Sequence, residues 1–225
     1  MINYTITRSN RRTIAIHIQN GSVSVRAPRN APQHDIDRFI AKKEKWIIDK
    51  LALQRETATK RENFSVGYGD KIPYRGELYP IAVCEHCRIG FFDGSRFNVP
   101  PNLTPEQIKH HCQEIYKNLA DSIIKERISI YIERMVILPN SVKITNAKKR
   151  WGSCSSDGNI SISWRLIMAS DSIIDYILVH ELSHLVEMNH SARFWSVVES
   201  VLPDYKKRRA ELRAFQNKLI YENWD

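Results

Sequence analysis

Apolar residues alternate through the start of the chain. In "TIAIHIQ" (13–19), Ile14, Ile16 and Ile18 share one face and Thr13, Ala15 and His17 the other, the period of a half-buried strand. "SVSVRAP" (22–28) repeats the alternation with Val23 and Val25, and Asn20-Gly21 lies between the two runs. Asn-Gly suits a two-residue turn that needs two positive φ angles, so a β-hairpin is predicted. His17, on the face opposite the isoleucines, reads as an exposed strand residue rather than a ligand.

The period then changes. Ile36, Phe39, Ile40, Lys43, Trp46, Ile47 and Leu51 recur at helical spacing, which predicts one long helix over about 33–58 with "RETATKREN" as a polar linker after it. Short apolar runs broken by Gly, Pro and Asp-Gly signals predict further strands over 64–100. A second long helix follows. Thr104 is its N-cap, Pro105 its first residue and Gln107 completes a capping box, and it ends before Pro139. "SVKITNAKKRWGSCSS" and "ISISWRLIMA" read as strands joined by an Asp157-Gly158 turn. Three helices, at roughly 172–188, 191–201 and 204–222, finish the chain. Strands, helix, strands, helix, strands and then helices make an α+β protein rather than a regular βαβ alternation. The expected division is a β-rich N-terminal region over 1–100 and a catalytic domain over 101–225, or one continuous domain.

The helix at 172–188 is the informative one. Ser172 and Asp175 have capping-box spacing at its start. Ile173, Ile174, Ile177, Leu178, Leu182 and Leu185 give it a broad apolar face, so it is a buried helix. Into that face the sequence sets "HELSHLVEMNH" (180–190), with three histidines. His180 and His184, four residues apart, diverge by about 40° and stand about 6 Å apart along the axis, so both imidazoles reach one ion from one side. Glu181 lies about 100° round from His180, outside the coordination sphere but placed to take a proton from a water within it. Polar groups in so apolar a helix need partners, and a zinc ion supplies them.

The third ligand is less direct. On a continued helix His190 would lie about 240° round and 9 Å along from His184, facing away. It joins the site only if the helix ends first. Asn189 suits a left-handed C-cap, and Ser191 suits the N-cap of "ARFWSVVESVL". The expectation is that the chain leaves the helix between Glu187 and His190. The alternatives are carboxylates from later in the chain, Glu199, Glu211 or Asp204, with His190 favoured on ligand chemistry. A competing site, "CEHC" at 84–87 with "HHC" at 110–112, is weak, because its spacings fit no common zinc motif.

Charge and composition change little in this picture. The chain of 225 residues carries a net charge of +9. Residues 1–62 hold thirteen Lys and Arg against six Asp and Glu, whereas the remainder is nearly balanced at 21 against 19. The basic excess thus lies away from the histidines. It is read as a solvated surface, with binding of nucleic acid or an acidic partner as the alternative. No apolar run is long enough to span a membrane, the start lacks the pattern of a signal peptide, and four cysteines make no disulfide framework. A cytoplasmic protein with reduced thiols is expected.

Several blocks now stand in a recognisable order: "RWGSCS" (150–155), "WRL" (164–166), "HELSHL", "NHSARFW" and "LPDY". They closely resemble the YgjP-like metallopeptidase-domain family of zinc-dependent hydrolases and, more distantly, the SprT-like and WLM metalloproteases. The resemblance covers nearly the whole chain and is weakest over 85–140. It implies a zincin-like catalytic part in which His180, His184 and His190 bind one Zn²⁺ and Glu181 is the catalytic base. Ser163 and Ser170 stand where family members often carry Asn and Pro.

The implied activity is that of a zinc metallopeptidase acting on a peptide or protein, with a zinc-activated water attacking the carbonyl and Glu181 as general base. Arg150, Trp151, Arg193 and Tyr205 are the candidates for contacting substrate or stabilising the oxyanion. Trp151 as a core aromatic and Arg150 as a structural ion pair are the competing readings, and Cys154 reads as a small buried hydrophobe. Two other functions stand beside this one: a nucleic-acid-associated protein with a tethered SprT-like protease, and a zinc-binding protein without peptidase activity.

Overall fold

A computed structural model describes residues 2–224 and shows a mixed α+β protein in two compact units. The first unit runs to Phe64 and takes in Ile220–Asn223. The second holds Ser65–Leu219 and Trp224.

In the first unit the strands are β1 (Thr5–Ser9), β2 (Ala15–Gln19) and β3 (Ser22–Pro28), in the order β1-β3-β2. β2 and β3 form the expected hairpin, with Ile18 opposite Val23 and Gln19 opposite Ser22. Asn20 (φ 50°) and Gly21 (φ 73°) supply the two positive angles of the turn. The single long helix expected next is two, α1 (Gln33–Lys42) and α2 (Glu44–Glu62), separated by Lys43 at φ −105° and ψ 7°. Ile36, Ile40 and Ile47 fill the core with Val23, Val25 and Ala27, and Leu51 packs against them. Phe39 sits about 60° round from Ile36 on α1, and Trp46 about 100° round from Ile47 on α2. They border a shallow surface cavity with Ile16 and Lys43 instead of joining the core. The segment expected as a linker is the last part of α2. Lys60 lies 4.3 Å from the Tyr221 ring centroid and Arg61 donates to the Glu222 carbonyl at 2.8 Å, which ties that helical end to the returning chain.

The second unit is organised on α3 (Pro105–Met135). The predicted capping box is present: Thr104 accepts from the Gln107 amide, and the Thr104 amide donates to Gln107 Oε1. Its buried residues, among them Cys112, Tyr116, Ala120, Ile124 and Ile128, recur every three or four positions, one face of a helix. Against it lie a four-stranded sheet, β4 (Lys71–Tyr74), β5 (Glu77–Val83), β6 (Phe91–Phe92) and β7 (Phe97–Val99), and the segment Trp164–Met168. That last segment was expected as strand and is a 3-10 helix. Its short apolar run has no period to separate the two, and burial against α3 settles the matter, with the Tyr116 and Trp164 rings stacked at 5.8 Å.

Two elements position the site. In the second three-stranded sheet, β8 (Ser141–Thr145), β9 (Gly152–Cys154) and β10 (Asn159–Ser163), the central strand is β10 and β9 is an edge. α4 (Asp171–Ser183) has ten of its thirteen residues buried and packs against α3, β9, α5 (Ala192–Val201) and α6 (Tyr205–Leu219). Its N-cap is Ser170, not Ser172. The expected capping-box pair is used otherwise: Ser172 Oγ donates to Glu211 at 3.0 Å, and Asp175 accepts two bonds of 2.9 Å from Arg127.

Asp175 also lies 3.7 Å from Arg208, and Arg127 and Arg75 converge on Asp171. The Arg75 guanidinium, bonded to Asp171, holds that carboxyl below its usual range, so its contribution to stability is present above the unfolded carboxylate pKa and fades as pH falls through the depressed one. Asp175 is only 9% exposed and Arg127 is half-buried, so Asp175→Ala takes from Arg127 its main partner. The expected loss is about 3 kcal/mol of unfolding free energy in urea titrations; a change below about 0.5 kcal/mol would mean the pair anchors nothing.

Candidate metal centre and active site

Near its C-terminus α4 tightens. The amides of His184, Leu185 and Val186 bond three residues back, to Glu181, Leu182 and Ser183, and the regular helix ends at Ser183. The chain therefore leaves the helix earlier than the expected interval between Glu187 and His190. Asn189 is not left-handed, because the non-glycine residues with positive φ are Asn20, Arg75, Asn102 and Val136. The reversal is a run of shortened turns, closed by the Ser191 amide donating to the Asn189 carbonyl at 2.7 Å. Ser191 caps α5 as predicted, accepting from the Phe194 amide at 3.3 Å.

This path brings His190 back to the helix. Its Nε2 lies 3.0 Å from His180 Nε2, and one donor atom from each of His180, His184 and His190 falls within 4.8 Å of the others. The three ring centroids stand 4.8–5.0 Å apart. Beneath all three lies Phe194, fully buried and 4.6–4.9 Å from each ring. Trp195 stacks on His190 and Tyr205 stacks on Trp195, which extends an aromatic wall outward from the histidines.

The protonation states suit a cation. Burial, the neighbouring imidazoles of His184 and His190 and the charge of Arg209 hold His180 down to about 3, and burial lowers His184. Both are neutral at pH 7, the form that donates a lone pair. His184 Nδ1 lies 3.2 Å from the Glu187 carbonyl; donation there fixes the tautomer that leaves Nε2 free. Nitrogens about 2.0–2.1 Å from a tetrahedral ion stand about 3.3 Å apart, close to the spacing of His180 and His190. The residues present therefore fit an ion bound by three imidazoles.

Glu181 is 5% exposed, and burial pushes its carboxyl up to about 7 against the pull of Arg150. Gly152, on β9, packs against it. A Cβ built there would lie 2.7 Å from both Cγ and Oε1 of Glu181, so only glycine leaves the carboxylate its place. The histidines, Glu181, Met188 and β9 line a cleft of about 320 Å³.

Of the other candidates, Arg150 is exposed and near enough for its charge to act on Glu181. Trp151 is half-buried and packs 5.6 Å from Phe215 rather than lining the cleft. Arg193 is exposed on the first turn of α5, and Tyr205 is buried two rings out from His190. Glu199, Asp204 and Glu211 are engaged with Lys206, Arg208 and Ser172, away from the triad. Cys84 and Cys87 lie side by side but gather no third ligand from the 110–112 run; among the described residues only the histidine triad brings three together. Sequence reasoning missed Gly152, Phe194 and Arg209. Gly152 and Phe194 left a trace, the one as the single glycine of the "RWGSCS" block and the other inside "NHSARFW".

Part of the chain is similar to the metallopeptidase zymogen abylysin of Pyrococcus abyssi, at 24% identity and a TM-score of 0.39, over 44% of this chain and 97% of that one. It is also similar to the zymogen jannalysin of Methanocaldococcus jannaschii, at 19% identity and a TM-score of 0.37, over 42% and 95%. No curated protein matches. The family model for the YgjP-like metallopeptidase domain matches residues 12–215, a span that takes in the strand with Gly152, the helix with His180, Glu181 and His184, and the turn that returns His190; the chain belongs to the YgjP-like metallopeptidase-domain family.

Proposed function

We propose that this protein is a zinc-dependent peptidase in which His180, His184 and His190 hold one Zn²⁺ and Glu181 is the general base and acid. The observation that carries the reading is the return of His190 to 3.0 Å from His180, on the same cleft as a buried glutamate. Three imidazoles with an open side suit zinc, which takes nitrogen ligands and keeps a position for water or substrate in catalytic sites. When bound, the ion supplies Lewis acidity, which polarises a carbonyl and lowers the pKa of water.

The chain's own residues supply the remainder. Glu181 takes a proton from the attacking water onto its carboxylate and delivers it to the departing amine nitrogen. Gly152 gives it room, and burial keeps its pKa near the working pH. β9 bonds to β10 along one side, with Gly152 opposite Ile162 and Cys154 opposite Ile160. Its other side is an edge beside the cleft, on which an extended peptide adds by main-chain hydrogen bonds. Arg150, next to Glu181, is the best-placed cation for charge developing on the carbonyl oxygen. A zinc-binding protein without peptidase activity would have no use for a buried Glu181 on the same cleft as the triad.

His190→Ala tests the ligand set. Wild-type protein should carry one zinc per chain, and the variant should bind it at least about 100-fold more weakly, measured by competition with a chromogenic chelator. Unchanged stoichiometry and affinity would place the third ligand elsewhere.

A further inference from the structure

α6 is dense in cations, with the sequence YKKRRAELRAFQNKL. Those at its start are neutralised by neighbours. Lys206 lies 3.8 Å from Glu199 and Lys207 lies 3.9 Å from Glu211. Arg208 bonds Asp204 at 2.9 Å and stands 3.7 Å from Asp175. Arg209 and Arg213 are different, because neither has a carboxylate partner among the described residues. Four residues apart on one helix, they share a face.

That face adjoins the histidines. The Arg209 guanidinium stands 5.2 Å from the Trp195 ring centroid, and Trp195 is 5.8 Å from His190 and 5.9 Å from His180. The charges of Arg209 and Arg213 both reach Tyr176, a buried residue one turn before His180 whose ring is 5.9 Å from that imidazole. Arg150, which also makes no ion pair among the described residues, adds a third positive charge near Glu181. A lone surface arginine is ordinarily just solvated. Here Glu199, Glu211, Asp204 and Asp175 meet the cations at the start of α6 and leave unmatched the pair beside the histidines. A guanidinium on an aromatic ring keeps its planar fork free for two parallel bonds to a carboxylate.

We propose that Arg209 and Arg213 form an anion-binding subsite that holds a carboxylate of the substrate, an Asp or Glu side chain or the C-terminus of the peptide, beside the bond to be cleaved. The proposal rests on the peptidase reading for what bears the carboxylate. Its test is a binding measurement, independent of turnover.

Full-length Glu181→Gln protein loaded with zinc is titrated against labelled peptides of one length, followed by fluorescence anisotropy. One set carries Asp or Glu with an amidated C-terminus, a second carries Asn or Gln with a free C-terminus, and a third carries Asn or Gln and is amidated. One of the first two sets should bind about tenfold more tightly than the third, and which one does identifies the source of the carboxylate. The advantage should shrink with salt. Arg209→Ala with Arg213→Ala should remove it, and Arg209→Lys with Arg213→Lys should restore part, with zinc at one per chain throughout. Equal affinities of the three sets, no binding of any set, or an advantage that survives the double alanine variant would overturn the subsite. If wild-type protein binds the acidic peptides and cleaves none, the peptidase reading fails and the subsite stands.

Discussion

Glu181→Gln should keep one zinc per chain and lose turnover by about 10²–10⁴-fold, the usual contribution of a positioned general base. The two side chains have nearly the same shape, so Gln fits against Gly152 as Glu does. What is lost is the ability to accept a proton. The same change removes a buried charge. Burial raises the Glu181 carboxyl to about 7, so ionising it at higher pH works against the fold. The metal-free variant should therefore melt at or above the wild-type temperature at pH 8. Lost activity with retained zinc and undiminished stability separates a catalytic role from a structural one. A variant with full activity, or one that also sheds its zinc, would sink the assignment.

Gly152→Ala should cost about 10²-fold in turnover, with fold and zinc content retained. Alanine suits a strand at this position, because Gly152 is not among the glycines with positive φ. The new methyl carbon would instead lie 2.7 Å from Glu181 Cγ and Oε1. The carboxylate is the end of a flexible side chain, so it is the group that yields, and a displacement of about 1 Å at a catalytic group carries a rate penalty of this size. Steady-state kinetics with metal analysis on the same sample checks it. Wild-type turnover in this variant would show that the position of Glu181 against β9 is immaterial to catalysis.

The legible and illegible parts of the site divide by range. The spacing of His180, Glu181 and His184 is local, and one turn of helix fixes what those residues can do together. His190 was legible as a condition, that the helix must end first. How it ends was not. The sequence offered Asn189 as a left-handed stop, whereas the amides of 184–186 shorten their bonds and the chain turns over Phe194. That packing depends on a residue of the next helix, which no local pattern reports. Gly152 acquires its meaning from Glu181, which follows 29 positions later in sequence. Ser172 and Asp175 had the spacing of a cap, but partners on α3 and α6 took both side chains and left the cap to Ser170. In the first unit the hairpin at Asn20-Gly21 was written in two residues. The exposure of Trp46 and the interruption at Lys43 left no mark in the spacing of apolar residues. Among the described residues no helix is long and apolar enough to cross a membrane, in keeping with the absence of a long apolar run.

The most direct test of the peptidase assignment is a digest of a broad peptide library by purified full-length protein of known metal content, read by mass spectrometry. Protein with one zinc per chain should cleave a subset of the peptides, stop when a chelator removes the ion and resume when zinc is restored. Protein that holds one zinc on the three histidines and leaves every peptide intact would contradict it.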